Sequence, residues 1–169
     1  MTNYFISKIY SEIPVTTFLT VTPPCNNLLK EFSVPFSISK PMRFGDCDLT
    51  GIAYHPAYLS MLVDVNEAMF ASFGVTWKEI MFQRKLGLPT VTLNLEFRKP
   101  AVYGDILTFN VHVRKIGGSS LDLETVVTVE GEMIWTVKQR IVLTSTTDHK
   151  SRPWPDDIRA GLERYLDAA

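Results

Sequence analysis

Gly45-Asp46-Cys47-Asp48-Leu49-Thr50-Gly51-Ile52-Ala53-Tyr54-His55-Pro56-Ala57-Tyr58 decides how the rest of this chain is read. Glycines and aspartates crowd its first half, so a strand cannot continue through it. Pro56 then stands where a helix opens, a position that tolerates its missing N–H and its fixed φ. From 57 to 73 there is neither Gly nor Pro, and Gly74 is placed to end the helix in the left-handed region. A carboxylate loop running into a helix N-terminus sets a base or nucleophile beside unpaired backbone N–H donors. That pairing suits attack on a carbonyl, one group driving addition and the other holding the oxyanion.

Outward from this stretch the chain is ordinary in bulk. Its 169 residues fit one domain with or without an appendage, and 46% apolar content is enough for a real core. A net charge of −1 argues against nucleic acid as a partner. No run of about 18 apolar residues marks a membrane span, and no basic, apolar and small-residue series marks a leader. Cys25 and Cys47 lie far apart without metal-binding spacing, which reads as reduced thiols in a cytoplasmic protein. A metal is not called for, because no His or further carboxylate follows Asp46 and Asp48 at ligand spacing.

Residues 1–31 are rich in Thr, Asn and Pro and read as an N-terminal extension, leaving 32–169 as the domain. Phe32, Val34, Phe36, Ile38 and Met42 alternate with polar residues, predicting a strand whose Pro35 and Pro41 suit an edge or terminal position for parts of it. In the helix, Tyr58, Met61, Leu62, Val65 and Met69 share one face, and Leu59, Val63, Phe70 and Phe73 add apolar surface outside it. So apolar a helix is expected to be covered on most sides. A short helix and a loop follow within 77–88.

Four strands come next, with Val91, Leu93, Leu95 and Phe97, then Leu107, Phe109, Val111 and Val113, on their apolar faces. Leu121, Leu123, Val127 and Val129, then Trp135, Val137, Ile141 and Leu143, continue the pattern. Gly117-Gly118-Ser119 and Glu130-Gly131-Glu132 read as hairpin turns. Pro153 to Asp157 leads into a short amphipathic C-terminal helix through Ile158, Leu162, Tyr165 and Leu166. The sum is an α+β domain, one antiparallel sheet with an apolar face wrapped on a central helix.

Gly45-Asp46-Cys47-Asp48 with Gly51 and Tyr54-His55-Pro56-Ala57-Tyr58 resembles the signature of hot-dog-fold acyl-CoA thioesterases of the 4-hydroxybenzoyl-CoA thioesterase type. Arg98-Lys99-Pro100-Ala101-Val102-Tyr103-Gly104-Asp105 and Gly117-Gly118-Ser119-Ser120 are similar to that family's second and third markers. The resemblance runs over about 33–148. It implies a curved antiparallel sheet around one long helix, a dimer of edge-joined sheets that in the family is often paired again into a homotetramer, an active site between subunits and no cofactor. It also implies Asp48 as the catalytic carboxylate and His55 as the position whose backbone N–H polarises the thioester carbonyl. Ala57 and Thr50 depart from the Asn and Ala usual at those places in the family.

The substrate expected is a small or medium acyl-CoA, or an acyl-carrier-protein ester, with an aromatic, 4-hydroxybenzoyl-like acyl group fitting. Asp48 acts as nucleophile or general base. Gly51, Tyr54, Pro56 and Tyr58 are candidates to line the substrate site. Asp64 is a candidate either to orient a water near Asp48 or to bond to the sheet. Asp46 is expected to hold the loop by accepting backbone N–H bonds. Arg98, Lys99, Arg114, Lys115, Arg140 and Arg152 are available for CoA phosphates. Two other classes stay open: a hydratase or dehydratase using His55 as base, and a non-catalytic acyl-CoA-binding module.

Overall fold

The first strand, β1 (Phe36–Pro41), alternates half-buried and exposed positions in the predicted phase. The structure, a computed structural model, describes residues 34–167; the 1–31 extension, Cys25 and the first two residues of the expected strand lie outside them. After a 3-10 turn (Phe44–Asp46) the chain enters α1 (His55–Ser72), then a π-helical turn (Glu79–Gln83). β2 (Leu86–Gly87), β3 (Thr90–Phe97), β4 (Ile106–Ile116), β5 (Ser120–Val129), β6 (Glu132–Val142) and β7 (Thr144–Ser145) follow, and α2 (Asp156–Glu163) closes the order. Five strands form one antiparallel sheet in the order β1-β4-β5-β6-β3, and β2 pairs with β7 in a separate ribbon. This is the α+β hot-dog arrangement, with α1 on the inner face of the sheet.

Helix α1 starts and stops for local reasons. Pro56 sits in its first turn, where no N–H is needed. At the other end Gly74 takes φ +89°, with Gly74 N–H donating to Ala71 O at 3.0 Å and Val75 N–H to Phe70 O at 3.3 Å. Those two bonds are a Schellman closure, which satisfies carbonyls the helix leaves open. The face carrying Tyr58, Met61, Leu62, Val65 and Met69 is buried against Phe109, Trp135, Val137 and Ile141 of the sheet.

The helix is not covered on most sides. Leu59 is 41% and Val63 48% exposed, because one sheet face can bury only one helix face. Strand β3 also departs from expectation, since Val91 is 57%, Leu93 39% and Phe97 44% exposed. From Thr92 on its alternation reports which way each side chain points, but β3 is an edge strand with nothing beyond it, among the described residues, to cover those side chains. In β6 a register shift opposite Val127 and Thr128 places both Ile134 and Trp135 in the core. Gln139, inward between Val137 and Ile141, accepts Asn66 Nδ2 at 2.9 Å and donates to Thr90 Oγ1 at 2.7 Å. A buried polar pair thus ties α1 to the sheet near the β3 edge.

Candidate active site

The Asp loop is built largely by its own backbone. Asp48 N–H donates to Ile52 O at 2.9 Å and Gly51 N–H to Asp48 O at 3.0 Å, the reversal passing through Gly51 at φ +77°. Cys47 and Ala53 bridge across it. Asp46 Oδ2 accepts Arg43 N–H at 2.9 Å, and Asp46 O accepts Tyr54 N–H at 3.2 Å, so Asp46 holds the loop as expected from the sequence. Tyr54 then leads directly into the helix.

The second marker docks on this loop. Gly104, at φ +94°, lets Asp105 turn back, and Asp105 Oδ2 accepts Val102 N–H at 2.8 Å. Tyr103 N–H reaches Gly51 O at 3.1 Å, and Ala53 N–H reaches Ala101 O at 2.9 Å. Tyr58, buried on the first turn of α1, accepts Ala101 N–H on its hydroxyl at 3.2 Å. Two segments about fifty residues apart in sequence therefore form one rigid platform at the start of the helix.

Beside this platform lies an open hollow of about 340 Å³ lined by Ile52, Ala53, His55, Tyr58, Phe97, Arg98, Lys99 and Pro100. His55 sets its ring edge on Phe97, centroids 5.7 Å apart, and Phe97 lies over Trp135 at 6.0 Å. Its walls are aromatic and its rim is basic. Among the described residues, no acceptor meets the backbone N–H of His55, the first N–H of the helix. The helix start thus leaves a donor without a partner among the described residues at the positive end of the dipole.

Of the residues singled out from the sequence, His55 and Tyr58 line the hollow. Tyr54 and Pro56 are exposed at its helix end, and Gly51 closes the loop turn. Asp48 is exposed and stands one bond away from the wall, through its N–H to Ile52. Asp64 takes the sheet option, pairing with Lys40 of β1. Thr50, a departure from the family pattern in sequence, donates both its N–H at 2.8 Å and its Oγ1–H at 2.5 Å to Asp48 Oδ1. The Asp-x-Thr spacing was the available signal, since Asp carboxylates bond N–H groups two residues on.

These bonds set the electrostatics. The Thr50 hydroxyl, then the Thr50 N–H, hold the Asp48 carboxyl below its usual range. Cys47 has its thiol pushed up by partial burial and then by Asp46, Asp48 and Asp105, which keeps it protonated and unreactive. Burial pushes the Tyr58 phenol up. Among the proposed phosphate cations, Lys99 pairs with Glu132, Arg114 with Glu124 and Asp167, Arg140 with Asp122, and Arg152 with Asp148. Arg98 and Lys115 carry no ion pair among the described residues.

A long helix laid on the inner face of an antiparallel sheet, with a carboxylate loop at its N-terminus, defines a hot-dog-fold protein. The chain belongs to the thioesterase-like superfamily, whose family model matches residues 42–162. A 1,4-dihydroxy-2-naphthoyl-CoA hydrolase of Nostoc punctiforme is 23% identical over 128 residues, covering 76% of this chain and 86% of that protein. A 4-hydroxybenzoyl-CoA thioesterase of a Pseudomonas species is 30% identical over 81 residues, 47% of this chain and 57% of that protein. Among solved structures, a 1,4-dihydroxy-2-naphthoyl-CoA thioesterase from Synechocystis superposes with a TM-score of 0.70 at 19% identity, covering 75% of this chain and 94% of that one. A thioesterase-superfamily protein from Jannaschia superposes at 0.73 with 24% identity, covering 79% and 94%. At these identities the structural matches speak for the fold.

Proposed function

We propose that this protein is an acyl-CoA thioesterase hydrolysing a small or medium, aromatic acyl-CoA to the free acid and CoA. The observation that carries this reading is an Asp48 whose charged form is favoured, held one bond from a hollow lined in part by His55, the residue with the open first N–H of the helix. A thioester carbonyl is electrophilic, and its thiolate leaves without a strong acid. Asp48 either attacks the carbonyl carbon, expelling CoA thiolate and leaving an anhydride that water opens, or takes a proton from the attacking water. The His55 N–H, backed by the helix dipole, donates to the developing oxyanion. The aromatic walls of His55, Tyr58 and Phe97 favour a flat acyl group, and Arg98 on the rim supplies for the anionic carrier a cation that has no ion pair among the described residues.

Asp48 is exposed in the single chain, so the reading requires a second copy to exclude water. The exposed apolar side of β3, with Leu59 and Val63 of α1, supports a dimer joined through that edge and able to pair again. Against the dehydratase alternative stands the His55 ring, which packs on Phe97 and has no hydrogen-bond partner among the described residues to orient it as a base. The test is a panel of aromatic and aliphatic acyl-CoAs with free-thiol detection on wild type and Asp48→Asn. Release of thiol by wild type and loss of about a hundredfold or more in Asp48→Asn is the expected result. An inert panel, or an Asn variant with undiminished turnover, removes the proposal.

A further inference from the structure

Resting on the reading of Asp48 as the reacting carboxylate, we propose that Thr50 is its positioning residue: its hydroxyl and N–H together claim Oδ1 and leave Oδ2 as the oxygen that meets the substrate or its water. The geometry is one-sided. Oγ1–H at 2.5 Å and N–H at 2.8 Å both end on Oδ1, whereas the Ile52 N–H, which also favours the charged carboxyl, pulls on it more weakly and makes no bond of that geometry. Two donors on one oxygen fix the carboxylate plane about the Cβ–Cγ bond, a torsion that is otherwise broad.

The hydroxyl is not needed to shape the loop. The turn is already closed by Gly51 N–H to Asp48 O and by Asp48 N–H to Ile52 O, with Gly51 supplying the positive φ. Cys47 and Ala53 bridge behind it, and Tyr103 N–H anchors Gly51 O from the neighbouring segment. With the backbone so determined, the Thr50 hydroxyl acts on the carboxylate alone.

Its chemical value appears when substrate arrives. An acyl group settling over Asp48 removes water from it, and desolvation works against the charged form. Hydrogen bonds that favour the anion oppose that pressure, which is the direction found for this carboxyl. Thr50 therefore keeps Asp48 ionised inside the closed complex and keeps Oδ2 facing the reacting carbon. The hydroxyl hydrogen stays on Thr50 throughout; no bond to Thr50 is made or broken.

Thr50→Val deletes the hydroxyl while keeping the backbone N–H bond and the side-chain shape, and Thr50→Ser restores the donor. On the best acyl-CoA, Thr50→Val should lose about tenfold in kcat, the cost of one hydrogen bond to a charged group, with KM little changed. The acid limb of its pH profile and the Asp48 carboxyl titration followed by carbon-13 NMR should both move to higher pH, and Thr50→Ser should return all three. A Thr50→Val enzyme with wild-type kcat and an unmoved titration overturns the proposal. So does one that only melts earlier, since that is a turn residue and nothing more. Should wild type release no thiol from any acyl-CoA, the thioesterase reading falls by itself. The NMR titration then still judges Thr50, an unmoved Asp48 carboxyl in Thr50→Val overturning its hold.

Discussion

The phenol oxygen of Tyr58 accepts the backbone N–H of Ala101 at 3.2 Å, joining the first turn of α1 to the segment that carries Gly104 and Asp105. Both residues are buried, Tyr58 at 4% and Ala101 at 0% exposure, so neither partner can turn to water instead. Tyr58→Phe keeps the ring against Trp135 and Phe97 but strands the Ala101 N–H. The expected cost is about 1–3 kcal/mol, the desolvation of an unmet buried donor. In a chain of this length that lowers Tm by several degrees, roughly 2–4 °C per kcal/mol. Urea and thermal unfolding check it; an unchanged midpoint would show that water enters beside Ala101.

Much of this arrangement was legible beforehand, for reasons that differ by element. Leu107, Phe109, Val111 and Val113 are all buried because β4 is a central strand, where period-two alternation and burial coincide. Pro56 and Gly74 marked the ends of α1 because their backbone limits act locally. On β3, by contrast, alternation gave direction without cover. The β2–β7 ribbon has two residues a side, too short to show any period. The Ile134 bulge and the Tyr58–Ala101 bond depend on partners distant in sequence. Asp46 and Asp48, two residues apart, take different work because one carboxylate faces the Arg43 N–H and the other faces Thr50.

Asn66 and Gln139 are both nearly inaccessible and meet at 2.9 Å across the helix–sheet interface. Gln139→Leu removes the acceptor of Asn66 Nδ2 and leaves a buried amide whose Oδ1 already has no partner among the described residues. The single variant should lose about 2–3 kcal/mol. The double variant Asn66→Leu with Gln139→Leu should recover part of that loss, since an apolar pair replaces a broken polar one. A double-mutant cycle in urea measures the coupling. Strictly additive losses would mean that the two amides do not depend on each other.

On the outer face of the sheet, Asp122 accepts Arg140 Nε at 2.6 Å and Nη2 at 2.8 Å. The Arg140 guanidinium holds the Asp122 carboxyl below its ordinary value. A carboxyl depressed in the folded state stabilises the fold above its unfolded pKa of about 3.9 and loses that contribution as pH falls through the folded value. Asp122→Asn should therefore weaken the protein at pH 7 and hardly change it in strong acid, flattening the acid arm of stability against pH. Arg140 is 52% exposed on its side chain, so the pair is worth only about 0.2–1 kcal/mol. Urea midpoints taken from pH 7 down to pH 3 decide it; parallel curves for the two proteins would show that the pair contributes nothing.

The dimer proposed through the β3 edge would carry a register that chemistry restricts. Residues directly opposite in an antiparallel pair share a face, and Leu93, Leu95 and Phe97 all point to the helix side by alternation. Val91 falls in the register shift between Thr90 and Thr92, so alternation does not set its direction. Two copies related by a two-fold axis must then pair odd with odd, so the axis passes through a residue and not between two. Centred on Leu95, Leu93 would meet Phe97 of the partner subunit, leaving none of the three unmatched. Centring on Leu93 or Asn94 would set Phe97 against Pro89 of the partner subunit, outside the strand, or against Val91 of the partner subunit in the irregular stretch. Leu95 would then face its own copy, with Cα atoms about 4.5–5.5 Å apart, a span that a disulfide bridges. Leu95→Cys should cross-link to a dimer under mild oxidation, well beyond the background from the native cysteines. Leu93→Cys and Asn94→Cys should not. Sedimentation of wild type separates the two ways of failing: a monomer removes the dimer, whereas a dimer that cross-links only through position 93 or 94 moves the axis and takes Leu93 away from Phe97.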